Sequence, residues 1–329
     1  MITIKALNEA RVRLHNTVHV TPVLTSRTLD EQTSASVYIK SEHLQKTGSF
    51  KIRGATNCVM IAKDQGARHL VAASSGNHGQ AVAFVARELG IPATIVIPEN
   101  ANAAKEEAIR NYGAEVVHVG TTSSERLQHA EQLVEQLNAT FIPPYDDEAV
   151  MAGQGTVGLE ILSQVHDPEV VIVPIGGGGL ISGISTAIKH INPKIKVIGV
   201  EPENASDTLK SRKAGQRITI DRADTIADGE HQRQVEMTFP IIEEHVDEII
   251  TVSEEEIREA FIFYLSRMKQ VVEPSGSVTL AALRSGKVTH HGGNVVVVAS
   301  GGNLDLRAIK RFVEQKELPC SGSSFCLDV

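Results

Sequence analysis

Cysteine is scarce in this chain of 329 residues, and its three copies show neither a disulfide framework nor the spacing of a zinc site. Cys58 lies in an apolar helical stretch, which indicates core packing. Cys320 and Cys326 lie in a tail rich in Ser and Gly, where we expect reduced thiols. No stretch approaches ~18 consecutive apolar residues, so we expect no membrane-spanning helix.

Runs of basic residues are also missing. The 32 Lys and Arg residues are outnumbered by 40 Asp and Glu residues, which gives a net charge of −8. This charge gives no support for binding to nucleic acid or to an anionic membrane. The N-terminus lacks a charged start followed by an apolar run, so we expect no secretory signal and a cytoplasmic protein.

Short β-branched runs alternate with longer helical patterns along the chain, which predicts an α/β fold with parallel sheets and crossover helices. Several strands are continuous apolar runs, as expected when both faces of a strand are buried. The number of strands suggests two sheets. The predicted strands are Val37–Lys40, His69–Ala73, Ala93–Ile97, Glu115–Val119, Val170–Pro174, Lys196–Val200, Glu248–Val252 and Asn294–Ala299. The predicted helices are Phe50–Lys63, Gly79–Leu89, Ala104–Tyr112, Ser124–Leu137, Thr156–Gln164, Leu180–His190, Glu254–Val271 and Val278–Leu283.

The first candidate site is Lys51 in the segment Ser-Phe-Lys-Ile-Arg-Gly, where Ser49 is placed to cap a helix. Lysine is usually solvated on a helix surface. Here Phe50 and Ile52 flank it, and a lysine that is partly desolvated near a helix start favours the neutral amine that a Schiff base needs. Both interpretations remain open on spacing alone.

The second candidate site is the turn Ser74-Ser75-Gly76-Asn77-His78, directly after an apolar strand. Backbone N–H groups at such a helix start bind a carboxylate or phosphate. Ser75 can give and take a proton, and Asn77 can bond a ring hydroxyl. The alternative is an ordinary turn with a serine cap.

The third candidate site is the run Gly176-Gly177-Gly178-Gly179, which follows the strand Val170–Pro174. A strand, a glycine turn and a helix together form a phosphate cradle. The dinucleotide signature G-x-G-x-x-G is not met, because Ile181 stands at its last glycine. With Glu201 as a possible ribose ligand, a nicotinamide-dependent oxidoreductase remains an alternative.

A fourth turn, Ser300-Gly301-Gly302-Asn303, follows the last predicted strand. Ligands of α/β sheets bind beyond the carboxyl ends of strands. Several small-residue turns at strand ends therefore predict a common ligand-binding site more strongly than any one of these turns alone.

Taken in order, these motifs resemble the serine/threonine dehydratase and serine racemase family of fold-type II pyridoxal 5′-phosphate (PLP) enzymes, from about residue 21 to residue 303. The resemblance implies a tryptophan synthase β-like fold of two open, twisted, mostly parallel sheets with helices on both faces and the cofactor in the interdomain cleft. It implies a large PLP-binding domain of residues 1–64 plus 147–329 and a small mobile domain of residues 65–146.

The resemblance also implies roles for the motif residues. Lys51 would join covalently to PLP and act as a base, and Ser75 would act on the opposite face of the substrate. Phe50 would pack on the cofactor ring, Asn77 would bond its hydroxyl, and Ser300 would bond its nitrogen. The glycine run Gly176, Gly177, Gly178 and Gly179 would hold the phosphate. The substrate carboxylate would be bound by Ser74, Ser75, Gly76, Asn77 and His78.

Two further assignments follow the serine racemase branch of this family. Arg126 is similar to an arginine that reaches the substrate carboxylate, although a solvated helix charge is the alternative. Glu201, the Ala205 carbonyl and Asp207 resemble a site for Mg²⁺, or for Ca²⁺ or Mn²⁺, and such hard cations prefer oxygen ligands. The alternative is a solvated acidic turn.

The sequence therefore predicts a dehydratase (ammonia-lyase) that acts on L-serine or L-threonine, with possible serine racemase activity. A β-hydroxyaspartate dehydratase and a PLP-binding protein without turnover remain alternatives. By analogy with the family, we expect a homo-oligomer, either a dimer or a tetramer.

Overall fold

The computed structural model describes residues 2–101, 103–218, 223–230 and 236–314, so Cys320 and Cys326 lie outside the described residues. The described strands are β1 (Val23–Thr25), β2 (Ser36–Ser41), β3 (Leu70–Ala73), β4 (Ala93–Ile97), β5 (Glu115–His118), β6 (Thr140–Phe141), β7 (Pro168–Pro174), β8 (Lys196–Pro202), β9 (Glu248–Val252) and β10 (Asn294–Ala299).

The described helices alternate with these strands. They are α1 (Ile4–Leu14), α2 (Arg27–Thr33), α3 (Lys51–Asp64), α4 (Asn77–Leu89), α5 (Ala103–Asn111), α6 (Ser123–Leu137), α7 (Glu148–Gln164), α8 (Gly179–Ile191), α9 (Asp207–Ala214), α10 (Thr238–His245), α11 (Glu254–Phe263), α12 (Pro274–Arg284) and α13 (Leu306–Glu314). The predicted α/β fold with two mostly parallel sheets is confirmed.

Among the described strands, six form the larger sheet, in the order β1-β2-β10-β7-β8-β9. The edge pair β1 and β2 is antiparallel, and the pairs β2–β10, β10–β7, β7–β8 and β8–β9 are parallel. Alternate residues of its central strands face two different cores. Val170 and Ile172 pack into one core with α11 and α12, whereas Val171 and Val173 pack into the other with α7 and α8. This two-sided burial explains the continuous apolar runs.

The smaller sheet is formed by the other four described strands, which are parallel and lie in the order β5-β4-β3-β6. One face packs on α3, α4 and α5, and the other packs on α6. Its strands all lie within residues 65–146, while α3, which precedes that range, contributes Ile52, Ala55 and Val59 to its core. The proposed boundaries of the two domains, and the mobility of the smaller one, stay predictions.

The bounds of two predicted helices differ most from those in the structure. The helix expected at Thr156–Gln164 begins at Glu148, where the Asp147 side chain accepts a bond from the N–H of Val150 at 2.9 Å. The helix expected at Glu254–Val271 ends as an α-helix at Phe263, continues as one π-turn to Met268 and stops at Lys269, whose φ is +58°.

Candidate active site

The predicted motif residues gather around one cavity of about 650 Å³. The turns after β3, β7 and β10 and the start of α3 all open into it, as the rule for strand ends predicts. The residues that line it include every predicted cofactor- and substrate-binding residue: Phe50, Lys51, Ser74, Ser75, Gly76, Asn77, His78, Arg126, Gly176, Gly177, Gly178, Gly179 and Ser300.

Lys51 is the first residue of α3, and its amine lies between aromatic rings. The Nζ atom is 5.2 Å from the ring centroid of Phe50 and 5.8 Å from that of Tyr145. It donates to the carbonyl of Pro144 at 2.9 Å. The N–H of Phe50 donates to the carbonyl of Ser300 at 3.0 Å, which joins the start of α3 to the turn after β10.

A buried ion network fixes the helix on which Lys51 stands. The guanidinium of Arg53 is fully buried and pairs with Glu42 and with Glu160, each at 2.7 Å. Lys40 pairs with Glu160 at 2.5 Å. The network therefore ties the first turn of α3 to β2 and α7, and it explains the arginine of the Ser-Phe-Lys-Ile-Arg-Gly segment.

The turn Ser74–His78 connects β3 to α4. A Cβ atom at Gly79 would lie 2.1 Å from the carbonyl oxygen of Ser74, so the turn can close only with glycine there. The ring Nε2 of His78 lies 2.8 Å from the carbonyl oxygen of Ile142; because a carbonyl only accepts, the ring must donate. Burial, together with the charge of Lys51, lowers the pKa of His78 to about 3. The ring is therefore a neutral tether rather than a cation.

The glycine run opens helix α8. Gly178 is the N-cap and has a φ of +82°, a conformation that favours glycine. A Cβ atom at Gly177 would lie 2.4 Å from the ring of Tyr145, so the ring packs directly on the loop backbone. A bare backbone at a buried helix start is a site for an anion such as a phosphate.

The structure adds cavity residues that sequence reasoning missed. Tyr145 belongs to the Pro-Pro-Tyr-Asp-Asp segment, whose prolines signal only a break in regular structure. Lys105, Asp228, Glu273 and Ser275 also line the cavity, and Lys105 pairs with Asp228 at 2.5 Å. These residues follow no small-residue turn, so the sequence held no local signal for them.

The residues assigned to a metal lie away from the cavity, at the end of β8 and the start of α9. Glu201, Ala205 and Asp207 are buried, and the Glu201 carboxylate accepts from the N–H groups of Thr208 and Leu209, each at 2.9 Å. Burial, aided by the charge of Asp207, raises the pKa of Glu201 to about 7. Within the described ranges, no cluster of three or more His, Cys, Asp or Glu side chains could hold a metal ion.

No helix in the part of the chain that the structure describes is long and apolar enough to cross a membrane.

Comparison with known proteins places these features in one family. The family model for "Pyridoxal-phosphate dependent enzyme" matches residues 14–301. An L-threonine ammonia-lyase of Thermotoga maritima is 44% identical over 96% of this chain and 79% of its own length. An L-threo-3-hydroxyaspartate ammonia-lyase of a Pseudomonas species is 45% identical over 91% of this chain and 94% of its own length.

A solved structure of maize serine racemase superposes with a TM-score of 0.91 at 38% identity, covering 95% of this chain and 97% of that one. The family match overturns the nicotinamide alternative, which rested on the glycine run and on Glu201 as a ribose ligand. The family match, the shared fold and the cavity around Lys51 agree, and the chain belongs to the family of pyridoxal-phosphate dependent enzymes.

Proposed function

We propose that the chain is a PLP-dependent ammonia-lyase that converts L-serine or L-threonine to a 2-oxo acid and ammonia, with Lys51 as the cofactor lysine. The observation that carries the proposal is the convergence of Lys51, the Ser74–His78 turn, the glycine run and Ser300 on one cavity. The threonine ammonia-lyase and serine racemase relatives support this substrate class.

The cavity fits the cofactor in size and chemistry. About 650 Å³ lies in the usual range for small-ligand sites. The glycine run at the start of α8 would hold the phosphate through backbone N–H groups. Phe50 would pack on the ring, Asn77 would bond the ring hydroxyl, and Ser300 would bond the ring nitrogen. When bound, PLP supplies a carbonyl for the substrate amine and a ring that withdraws electrons from Cα.

The side chains of the protein would then bind the substrate and move protons. The Ser74–His78 turn and Arg126 would hold the carboxylate, and Lys51 Nζ would take the proton from Cα. The β-hydroxyl leaves together with a proton as water, and hydrolysis of the released enamine gives the 2-oxo acid and ammonia. Racemisation requires a second proton donor on the opposite face of Cα, and we assign that role to the hydroxyl of Ser75.

A second candidate substrate is L-threo-3-hydroxyaspartate. The Pseudomonas relative carries that name, and the cavity wall includes, besides Arg126, the cationic side chain of Lys105, which would pair with a second carboxylate. This candidate shares the cofactor, the lysine and the elimination chemistry with the first one.

We also propose a divalent cation held by Glu201, the carbonyl oxygen of Ala205 and Asp207. Glu201 and Asp207 are both buried, and a bound cation would offset the cost of burying two acids. Mg²⁺ should raise the midpoint of thermal unfolding of the wild type but not that of Glu201→Gln. An equal rise in both proteins would contradict the site.

A substrate panel on purified protein with PLP tests the function. The panel compares L-serine, L-threonine, D-serine and L-threo-3-hydroxyaspartate, with and without Mg²⁺, and scores ammonia, 2-oxo acid and D-amino acid together. We expect 2-oxo acid and ammonia from L-serine or L-threonine, and neither from Lys51→Ala. Turnover of hydroxyaspartate alone would favour the second candidate, and bound PLP without any product would refute both. A homo-oligomer and a cytoplasmic location remain predictions.

A further inference from the structure

Glu273 is a buried acid at the cavity wall that the proposed chemistry leaves unused. It precedes Pro274 at the start of α12, and only 4% of its surface is exposed. Its N–H donates to the carbonyl of Gly301 at 3.0 Å. Its Oε1 atom accepts from the Nδ2 of Asn77 at 2.7 Å. The acid therefore contacts one of the residues assigned to the cofactor.

The orientation of the Asn77 amide follows from its neighbours. The Nδ2 of Asn303 donates to the carbonyl of Thr47 at 2.7 Å and to the Oδ1 of Asn77 at 2.8 Å. A backbone carbonyl cannot donate, so the nitrogen of Asn303 must face Thr47, and the same nitrogen must then face the oxygen of Asn77. The nitrogen of Asn77 is thereby turned towards Glu273.

This arrangement leaves one N–H of Asn77 for the cavity. A carboxamide nitrogen has two hydrogens, and Glu273 takes one of them. The carboxyl group of Glu273 occupies the space beside Gly301, because a Cβ atom at Gly301 would lie 2.1 Å from Oε1 of Glu273. Gly301 directly follows Ser300, so the carboxyl group of Glu273 packs against the backbone of the turn that carries Ser300.

The charges that face Glu273 come from two other elements. Burial and the charge of Asp228 raise the pKa of Glu273, while Lys105 and the bond from Asn77 act in the opposite direction. Lys105 lies on α5 and pairs with Asp228 at 2.5 Å. The oxygen of Glu273 can accept from Asn77 in either protonation state, so the contact does not depend on its charge.

We propose that Glu273 is a positioning residue that acts through Asn77, holding the amide so that its second N–H points into the cavity. This inference rests on the proposed function, because the group that Asn77 would bond is the ring hydroxyl of PLP. This role accounts for the presence of a buried acid, whose burial costs free energy.

A double-mutant cycle on cofactor binding tests this role. The readout is the dissociation constant of PLP, measured by absorbance titration of the purified protein and independent of turnover. We expect Asn77→Ala and Glu273→Ala each to weaken binding about tenfold, as for the loss of one oriented hydrogen bond. The double variant should bind PLP as Asn77→Ala does. Glu273→Gln should stay within about threefold of the wild type, because its carbonyl still accepts from Asn77.

Glu254→Gln is the matched control, because the Glu254 carboxylate also accepts a hydrogen bond, from the N–H of Ile226 at 2.7 Å, but lies outside the cavity. It should leave PLP binding unchanged. If Glu273→Ala does not fold, Glu273→Ser takes its place in the cycle. Losses that multiply in the double variant would overturn the inference while the proposed function stands. A wild-type protein that binds no PLP would instead refute the proposed function.

Discussion

Replacing Arg53 by methionine should remove the buried ion pairs that hold the start of α3, next to Lys51. The arginine is fully buried, and its guanidinium bonds Glu42 at 2.7 and 2.8 Å and Glu160 at 2.7 and 2.9 Å. Methionine fills part of the volume but provides no charge. Breaking a buried pair from one side costs about 3–5 kcal/mol in general, because the remaining charge is left without its partner.

For Arg53→Met, the contacts that remain in the structure indicate a free-energy cost at the lower end of that range. Lys40 stays beside Glu160 at 2.5 Å, so most of the penalty falls on Glu42. Glu42 keeps a bond from the hydroxyl of Thr21 at 2.5 Å. We therefore expect the free energy of unfolding to fall by about 3 kcal/mol.

The penalty should also depend on pH. Burial alone would raise the pKa of Glu42, but the charge of Arg53 and its hydrogen bonds hold it below its usual value. In the wild type this depressed pKa keeps the contribution of Glu42 to the free energy of unfolding constant above about pH 4.5. In Arg53→Met the pKa of Glu42 should rise, and protonation becomes easier as the pH falls. The difference between the two proteins should therefore be larger at pH 8 than at pH 5.

Urea unfolding of the wild type, Arg53→Met and Arg27→Met measures the effect. Arg27 pairs with Glu31 at 3.0 Å, but 91% of its side chain is exposed, so the same substitution there should change stability very little. If Arg53→Met were no less stable than Arg27→Met, the network would not anchor the start of α3, and the reasoning would be refuted.

Three further predictions follow from the cavity. Gly177→Ala should cost about 1–3 kcal/mol of stability by displacing the Tyr145 ring, and adding Tyr145→Ala should recover most of it; no recovery would place the strain elsewhere. Because the pKa of His78 is lowered to about 3 by burial, its contribution to stability should be complete above about pH 6.5 and decline as the pH falls towards 3, with a flatter decline in His78→Gln. Ser75→Ala should stop production of D-serine from L-serine while elimination stays measurable; equal loss of both would argue against Ser75 as the second proton donor.

The central strands were predictable because burial on both faces requires a continuous run of apolar residues, which is visible in the sequence. The run Val170–Pro174 has only apolar residues, and the structure places it within β7, with its residues alternating between two cores. The strands β1 and β6 were missed because they are short. The pair Thr140–Phe141 lies at a sheet edge and depends on its neighbour β3 for its structure.

Helix α7 shows a different reason for a wrong boundary. Glycines at 153 and 155 argue against a helix by intrinsic propensity, and the predicted start, Thr156, lies directly after them. The structure uses them for close packing. A Cβ atom at Gly153 would lie 2.6 Å from the carbonyl oxygen of Arg53, and one at Gly155 would lie 2.8 Å from that of Gly183. Tertiary contacts of this kind override propensity and are invisible in a single sequence.

In the candidate site, too, the predictable residues are those with a local signal in the sequence. Turns of small residues after buried strands identify Lys51's neighbours because chain direction brings strand ends together. Glu273 has no such signal, since its contact with Asn77 joins positions 196 residues apart. Tyr145 has no such signal either, because its position over Gly177 emerges from the packing of the loop.

The covalent assignment of Lys51 can be measured directly. The protein is loaded with PLP, reduced with borohydride, digested and analysed by peptide mass spectrometry, with Lys51→Ala treated in parallel. We expect a reduced pyridoxyl group on the peptide that contains Lys51 and none on the corresponding peptide of the variant. A label on a different lysine, or no label in a protein that binds PLP, would contradict the assignment.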